Sequence, residues 1–257
     1  MLETRKVRGI DIACWTNRAE WKPEKRFVVF VHGSGGDHTN WVYQYSHLGK
    51  DFNIAVLELP GHGASGGKGE ADVPSYVEWV KDAIAAFEVS KPVVVGHSLG
   101  AAIALTFAIR HGELLSGVVP VGGGLKMPVN PAILEGLRKD PLPIIEMAAK
   151  ISVAKSNRER FSALLVKGLS SAKAEVIHGD FSACDRLDIV EAVKAVRLPT
   201  LVICGDEDKM TPPSLSEEIH RSIPGSRLVI IPGAGHFVMM EQAEAFNEAL
   251  RSFVTAL

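Results

Sequence analysis

The chain has 257 residues, with 28 Lys and Arg against 30 Asp and Glu, a formal net charge of −2, and 46% hydrophobic residues. This length is enough for one domain with a sizeable core, and the balanced charge provides no basic surface for nucleic acid or an anionic membrane. Cys14, Cys184 and Cys204 are widely spaced, form no C-x-x-C pair, and predict neither a disulfide framework nor a zinc site. Since the chain also has no apolar run of about 18 residues and no signal-peptide pattern, we expect a cytoplasmic protein whose partners are small molecules, with no nucleic acid and no membrane.

The first predicted elements are two short strands that flank a turn at Gly9, within Val7–Trp15. A polar linker follows, and beyond it six short apolar runs are spaced along the chain. Runs of this kind are typical of strands buried on both faces of a parallel sheet. The six runs are Phe27–Val31, Ile54–Leu57, Val93–Val95, Gly117–Val121, Thr200–Cys204 and Arg227–Ile231.

Helical patterns lie between most of these runs. Apolar residues recur at helical spacing in Val73–Phe87, the stretch Leu99–Arg110 is almost wholly apolar, and Phe237–Val254 is amphipathic. Alternating strands and helices predict an α/β fold with a mostly parallel, doubly wound sheet and right-handed crossovers. Ligands of such sheets bind beyond the carboxyl ends of the strands, and the glycine-rich loops of this chain fall at those ends.

Residues 125–190 interrupt this alternation. No strand-like run occurs there, and Ala132–Leu137, Pro143–Ala154 and Asn157–Leu169 are predicted as short helices. A structureless loop of this length is uncommon inside a compact domain. We therefore expect a helical cap at residues 125–190, inserted between a first part of the core, residues 1–124, and a second part, residues 191–257.

A serine stands between two glycines at the end of the third apolar run. The segment Gly96-His97-Ser98-Leu99-Gly100 fits G-x-S-x-G, with a strand before it and a helix after it, which is the context of a nucleophile elbow. Glycines on either side allow strand and helix to approach closely around a strained residue. Ser98 would then stand at a helix N-terminus, where developing negative charge is favoured. This context predicts that Ser98 is a nucleophile.

A serine nucleophile needs a histidine base and a carboxylate that orients the base. His236 lies in a glycine-rich loop after the last apolar run and is the only histidine beyond that run, so we expect it to be the base. Asp206, Glu207 and Asp208 crowd the loop after Thr200–Cys204, and spacing alone does not choose among them. The resulting order along the chain is serine, acid, histidine.

Several motifs together resemble the α/β-hydrolase fold superfamily, and within it the serine carboxylesterases, over nearly the whole chain. They are Val31–Gly36, Leu59–Ser65, the elbow, and the loops Gly205–Pro212 and Gly233–His236. The resemblance implies that Asp208 is the acid, since it matches the aspartate of the family's G-x-x-D. It also implies that the backbone N–H groups of Ser34 and Leu99 form the oxyanion hole.

Two positions bear on how closely the chain follows that family. Glu58 precedes the Leu59–Ser65 segment where aspartate is usual, and we expect it to form a local structural pair near this loop. The family's alternative position for the acid, after Gly117–Val121, holds Gly122–Gly124 and offers no carboxylate. The acid is therefore expected in the loop that holds Asp208.

Metal and nucleotide chemistry fit the sequence less well. His32, His62, His97 and His236 all fall on loops at one end of the predicted sheet, yet no H-E-x-x-H or similar metal spacing is present. The loop Gly33–Gly36 lacks the G-K-[ST] ending of a phosphate loop and the full dinucleotide fingerprint. We therefore expect neither a metal nor a cofactor.

The expected reaction is hydrolysis of a small or medium-sized neutral carboxylic ester through an acyl-enzyme on Ser98. Met127 and Met147 are candidates for substrate contact, because methionines adapt to varied apolar shapes. The apolar cap residues that could line the acyl pocket are Leu125, Met127, Ile133, Leu134, Leu137, Leu142, Ile144, Ile145 and Met147. A thioesterase, a lactonase or a carbon–carbon bond hydrolase has the same triad, and a non-catalytic ligand receptor is a further alternative. The sequence leaves the oligomeric state open.

Overall fold

The structure is a computed structural model that describes residues 1–257. Its strands are β1 (Leu2–Val7), β2 (Ile10–Thr16), β3 (Phe27–Val31), β4 (Asn53–Leu57), β5 (Val93–His97), β6 (Gly117–Val121), β7 (Leu201–Gly205) and β8 (Arg227–Ile231). They form one sheet in the order β1-β2-β4-β3-β5-β6-β7-β8. The eight strands thus make a single central layer.

The direction of the strands places several loops at one edge of this sheet. The hairpin of β1 and β2 is antiparallel and β2 is antiparallel to β4, whereas β3 to β8 run parallel to one another. In the register of the centre, Val29 lies opposite both Ala55 and Val94. Because parallel strands end at the same edge, the loops that follow β3, β5, β7 and β8 meet there.

Helices cover both faces of the sheet. They are α1 (Val42–Leu48), α2 (Val73–Ala86), α3 (Leu99–His111), α4 (Pro131–Lys139), α5 (Pro141–Ile151), α6 (Arg158–Ser171), α7 (Ala174–Asp185), α8 (Pro213–Ser222), α9 (Val238–Glu241) and α10 (Ala243–Thr255). The apolar residues of α2, α3 and α8 join one core on one face, and those of α1 and α10 join a second core on the other. None of the helices combines the length and apolar character that crossing a membrane would need.

The predicted fold class is confirmed, and one predicted helix is divided. Each of the six apolar runs is a strand, with bounds that differ by no more than two residues from those predicted. The stretch Phe237–Val254, predicted as one helix, is broken at Gln242, where φ is −129° and ψ is 55°. The Gln242 amide donates a hydrogen bond to the carbonyl oxygen of Gly233, and this contact with the preceding loop accompanies the break.

Residues 125–190 contain helices α4 to α7 and no strand. Helices α4, α5 and α6 overlap the three that the sequence predicts, while α7 lies in a part of the segment for which no helix was predicted. Proline at the first turn starts α4 and α5, where its missing N–H costs no hydrogen bond. The division of the chain into a core and a separate cap domain stays a prediction.

Candidate active site

Ser98 occupies the turn between β5 and α3 in a strained conformation. Its φ is +56° and its ψ is −114°, a region that costs about 1–3 kcal/mol for a residue with a side chain. The surroundings impose this turn: the Ser98 N–H donates to the Val121 carbonyl at 2.9 Å, and a Cβ atom on Gly96 would lie 1.9 Å from the carbonyl oxygen of Gly100. The close approach of strand and helix therefore requires glycine beside the serine.

The loops after β7 and β8 bring a carboxylate to a histidine. Asp208 Oδ2 lies 2.8 Å from His236 Nδ1, and the Thr211 hydroxyl donates to the same oxygen at 2.9 Å. Asp208 Oδ1 accepts hydrogen bonds from the backbone N–H groups of Met210 and Thr211, each at 2.9 Å. The carboxylate is therefore fixed on both oxygens and holds the imidazole by Nδ1, so that Nε2 is not used in this contact, and His236 and Ser98 line the same cavity.

Of the three acidic residues that the sequence left open, one contacts the histidine. Asp206 and Glu207 are exposed, whereas Asp208 is 3% exposed. Burial by itself raises the pKa of the Asp208 carboxyl, but the charge of His236 and the hydrogen bonds from His236 and Thr211 outweigh it, so that the pKa lies below its ordinary value. Asp208 is therefore ionised at neutral pH, as an orienting carboxylate must be.

The loop after β3 lies directly beside Ser98. A Cβ atom on Gly33 would be only 3.0 Å from the Cβ of Ser98. The backbone N–H groups of Ser34 and Leu99 donate no hydrogen bond to another backbone group, and the N–H of Leu99, as the first in α3, has no acceptor within its helix. Two free N–H donors thus flank the serine, as an oxyanion hole requires.

Glu58 pairs locally, as its position beside the Leu59–Ser65 segment predicts. Its carboxylate accepts hydrogen bonds from His38 Nδ1 at 2.5 Å and from the Ala64 N–H at 2.6 Å. Burial acts to raise the pKa of Glu58, but these two hydrogen bonds outweigh it and lower the pKa. Asp37, His38 and Glu58 also form the one group of three whose potential metal-ligand atoms lie within 4.8 Å of one another. Within it, His38 is hydrogen-bonded to Glu58, and the Asp37 carboxylate accepts hydrogen bonds from Thr39.

A largely apolar cavity of about 870 Å³ opens over Ser98 and His236. Helices α4 to α8 and the loops around Ser98 contribute to its walls, and the predicted residues that line it are Met127, Ile133, Leu137, Ile144 and Ile145. The charged side chains of the lining are limited to Asp37, Lys167 and Lys209. The cavity therefore suits an uncharged, mostly apolar molecule with a polar group at the serine.

Four of the cap residues proposed for the pocket lie elsewhere. Leu125, Leu134, Leu142 and Met147 are absent from the cavity lining. Met147 is 40% exposed, whereas Met127 is 7% exposed and lines the cavity. Helix α5 directs the Met147 side chain away from the cavity, and substrate contact at Met147 stays a prediction.

Two buried carboxylates near the site were not found from the sequence. Glu241 accepts hydrogen bonds from the N–H groups of Gly235 and Ala154 and from the Asn157 amide. Asp180, on α7, accepts a hydrogen bond from the N–H of Gly35. Their partners lie up to 145 residues away along the chain, so no local pattern could have identified them.

Comparisons with known proteins bear on the family and on the fold. The sequence profile of the alpha/beta hydrolase family matches residues 28–249. A solved structure of a thermophilic esterase is 35% identical, covers 100% of this chain and 98% of its own, and superposes with a TM-score of 0.87. The enol-lactonase from Burkholderia xenovorans LB400 superposes with a TM-score of 0.91, and the match covers 98% of this chain and 100% of that one. Because the sequence identity is 21%, this similarity concerns the fold alone.

A curated relative gives a further similarity at the level of sequence. The pimeloyl-[acyl-carrier protein] methyl ester esterase of Neisseria meningitidis serogroup A is 26% identical over 246 residues. The matched part covers 88% of this chain and 76% of that protein. The similarity thus extends over both the sheet and the helices of residues 125–190.

Proposed function

The chain belongs to the alpha/beta hydrolase family, and we propose that it hydrolyses small to medium-sized neutral carboxylic esters with Ser98, His236 and Asp208 as a catalytic triad. The observation that carries this proposal is the set of contacts at the carboxyl edge of the sheet. A strained serine, a histidine held by a buried aspartate at 2.8 Å, and two free backbone N–H groups share one apolar cavity. The names of the esterase relatives support the same reaction class.

In the proposed first half of the reaction, Ser98 Oγ attacks the ester carbonyl carbon while His236 Nε2 takes the hydroxyl proton. The carbonyl oxygen becomes an oxyanion and accepts hydrogen bonds from the N–H groups of Ser34 and Leu99. Asp208 stabilises the imidazolium and holds the tautomer that keeps Nε2 free. The carbon–oxygen bond to the alcohol then breaks, the alcohol leaves with the proton from His236, and an acyl group remains on Ser98.

The second half repeats these roles with water. His236 Nε2 takes a proton from water, which attacks the acyl carbon, and the same N–H pair binds the second oxyanion. The bond to Ser98 Oγ breaks and the oxygen regains its proton from His236. The carboxylic acid is released and the enzyme returns to its starting state, so no cofactor enters the reaction.

The cavity supports the proposed substrate class. Apolar side chains from α4 to α6 would contact the acyl chain, and Met127 lies among them. No cluster of arginines lines the cavity, so nothing there calls for a carboxylate or phosphate on the substrate. A volume of about 870 Å³ holds a medium-length acyl chain with its alcohol group.

The test is hydrolysis of p-nitrophenyl esters from acetate to decanoate by the wild type, Ser98→Ala and Ser90→Ala. Ser90 is exposed in a loop outside the site and serves as the matched control. We expect turnover by the wild type and Ser90→Ala, and a fall of at least about 10³-fold in kcat for Ser98→Ala. The chain length at which kcat/KM falls would then measure the usable depth of the cavity.

Absence of Ser98-dependent turnover in folded wild-type protein would contradict the esterase proposal. The same proteins tested with an acyl thioester, a lactone and a dienone would rank the three alternative hydrolase reactions, since each of them needs the same serine. Ligand binding that persists in Ser98→Ala, without turnover of any of these compounds by the wild type, would instead indicate a receptor.

A further inference from the structure

Helix α7 carries a buried carboxylate that the proposed reaction does not use. Asp180 is 0% exposed, and its two oxygens accept three hydrogen bonds. Oδ2 accepts from the Gly35 N–H and from His62 Nε2, each at 2.8 Å, and Oδ1 accepts from the Tyr76 hydroxyl at 2.5 Å. These donors belong to the loop after β3, the loop after β4 and helix α2. One side chain of residues 125–190 thus joins three segments of the core.

The contact with Gly35 concerns the oxyanion hole directly. Ser34 and Gly35 share a peptide group, and the N–H that Asp180 accepts belongs to this group. Fixing the plane of a peptide restricts the backbone rotation on both sides of it. The orientation of the preceding Ser34 N–H, one of the two proposed oxyanion donors, therefore depends on the bond between Gly35 and Asp180.

Helix α7 packs tightly enough to transmit this restraint. Gly35 has φ of +63°, and a Cβ atom there would lie 3.1 Å from Cγ1 of Ile177, three residues before Asp180 on the same helix. Residues three apart share a helix face, so Ile177 and Asp180 contact the loop together. At the residue just before Asp180, a Cβ atom on Gly179 would lie 2.6 Å from the carbonyl oxygen of Glu70, which shows how closely the helix approaches the core.

The chemistry of the contact favours positioning over stabilisation. A buried carboxylate loses its hydration, and buried ion pairs are weak stabilisers compared with apolar residues of the same volume. Asp180 recovers this loss through His62 and Tyr76, neither of which is hydrogen-bonded to Ser34. The remaining hydrogen bond, to Gly35, fixes a backbone group beside the reacting serine, where catalysis depends on donors held in place before the reaction begins.

We propose that Asp180 is a positioning residue. By holding the Ser34–Gly35 peptide, it fixes the orientation of the preceding Ser34 N–H toward the oxyanion, and it thereby couples helix α7 to transition-state stabilisation. This inference rests on the proposed ester hydrolysis by Ser98. It predicts that loss of Asp180 lowers the rate of the chemical step, and that it leaves binding of the ground-state ester largely intact.

The experiment compares Asp180→Ala, Asp180→Asn, Tyr76→Phe and Glu175→Gln with the wild type. Tyr76→Phe removes a hydrogen bond to the same carboxylate without touching Gly35, and Glu175 is an exposed residue of the same helix. For each protein, kcat and KM are measured with p-nitrophenyl butyrate. The inhibition constant of a trifluoromethyl ketone, which forms a tetrahedral adduct with the serine, is measured in parallel, and thermal unfolding confirms the fold.

For Asp180→Ala we expect kcat to fall about 10- to 100-fold, less than the loss of a whole oxyanion donor, with KM changed less than about threefold. The inhibition constant of the ketone for Asp180→Ala should rise by about the same factor as kcat/KM falls. Asp180→Asn keeps an acceptor oxygen for Gly35 and should lie between Asp180→Ala and the wild type. Tyr76→Phe should unfold at a lower temperature yet keep kcat within about threefold, and Glu175→Gln should match the wild type.

A folded Asp180→Ala that keeps wild-type kcat, or a Tyr76→Phe that loses as much kcat as Asp180→Ala, would overturn the inference. Should Asp180→Ala fail to fold, the comparison passes to Asp180→Asn and Tyr76→Phe. If kcat and ketone affinity fall more in Asp180→Asn than in Tyr76→Phe, the result supports the inference. A fall in Asp180→Asn that is equal to or smaller than the fall in Tyr76→Phe contradicts it. Failure of the proposed function has a different signature, because the wild type itself would then show no Ser98-dependent turnover.

Discussion

His97 Nε2 lies 2.9 Å from the backbone carbonyl oxygen of His236 and donates a hydrogen bond to it. This bond joins the residue before the nucleophile to the proposed base, across 139 positions of the chain. Burial lowers the pKa of His97 well below its ordinary value, and the neighbouring His236 lowers it further. His97 is therefore neutral, with its proton on Nε2, and its unprotonated Nδ1 is buried without a partner.

Replacing His97 by phenylalanine should slow the reaction without unfolding the protein. The ring packs against His236 and Phe237 at centroid distances of 4.6 and 4.8 Å, and phenylalanine keeps this packing while it removes the hydrogen bond. We expect kcat to fall about 10-fold, because His236 would be held less firmly. Small displacements of a catalytic group are enough to cause rate losses of this size. Steady-state kinetics measures the change, and His47→Phe, at an exposed position, is the control. Unchanged kcat in a folded His97→Phe would contradict this role.

Glu241 holds the loop of the base from the opposite side. Its Oε1 accepts from the Gly235 N–H at 3.0 Å, and its Oε2 accepts from the Ala154 N–H at 2.8 Å. Glu241→Gln would turn an amide NH₂ toward one of these N–H donors, so we expect a loss of about 1–3 kcal/mol in the free energy of unfolding, together with reduced kcat. Urea denaturation measures the loss. The exposed Glu244→Gln should change stability by less than about 0.5 kcal/mol, and equal effects of the two substitutions would argue against the role.

Gly96, two residues before Ser98, should tolerate no side chain. Gly96→Ala would place Cβ 1.9 Å from the Gly100 carbonyl oxygen, and since both atoms belong to rigid backbone we expect a loss of about 3 kcal/mol or more, or no folded protein. Gly168 is the matched control, because it lies within α6 and a Cβ there meets no atom within 4 Å. Gly168→Ala should gain about 0.5–1 kcal/mol. Urea denaturation compares the two variants, and a stable Gly96→Ala would refute the steric account of the elbow.

The features that the sequence predicts best are those with a local pattern. The strand before Ser98 is a run of buried valines, and Gly96 and Gly100 mark the turn at fixed spacing. His236 and Asp208 could be placed because parallel strands bring their loops to one edge, although the choice of Asp208 over its neighbours came from the family resemblance. In the structure, Asp208 is the one of these three residues whose carboxylate contacts His236.

What the sequence did not predict depends on contacts between distant segments. Asp180 lies on a helix without a strong amphipathic pattern, and nothing near it in sequence indicates that its partners are Gly35, His62 and Tyr76. The orientation of α5, which turns Met147 to solvent, likewise depends on how the helix packs. Tertiary contacts of this kind decide which of several similar side chains reaches the site.

Asp208 should add no proton to the acid limb of the pH profile above pH 3.8. Because His236 and Thr211 hold the pKa of Asp208 below its ordinary value of 3.8, the carboxylate stays ionised above that pH. On the acid side, a plot of log kcat/KM against pH should therefore be no steeper than a slope of about one above pH 3.8, with a second proton visible only below it. Activity after return to neutral pH controls for unfolding. A slope of about two above that pH would show that Asp208 titrates with the base.

The ion pair of His62 and Asp180 should make stability depend on alkaline pH. Burial lowers the pKa of His62, but the charge of Asp180 and the hydrogen bond to it outweigh burial and raise the pKa above 6.5. A raised pKa in the folded state gives stability that is fully present below pH 6.5, the unfolded value, and is lost as pH rises through the folded value. His38, whose pKa is raised by its hydrogen bond with Glu58, contributes in the same direction.

The variant His62→Gln separates these two contributions, since glutamine can donate to Asp180 without titrating. We expect urea denaturation to show a larger deficit of His62→Gln relative to the wild type at about pH 6 than at about pH 9, because only the wild type has the charged pair of His62 and Asp180 to lose as pH rises. His38→Gln should also show a stability deficit that is larger at about pH 6 than at about pH 9, because it loses the pair of His38 and Glu58. The exposed His47→Gln should show no such deficit. A deficit for His62→Gln that stays constant or grows with pH would mean that His62 is neutral beside Asp180 at both values.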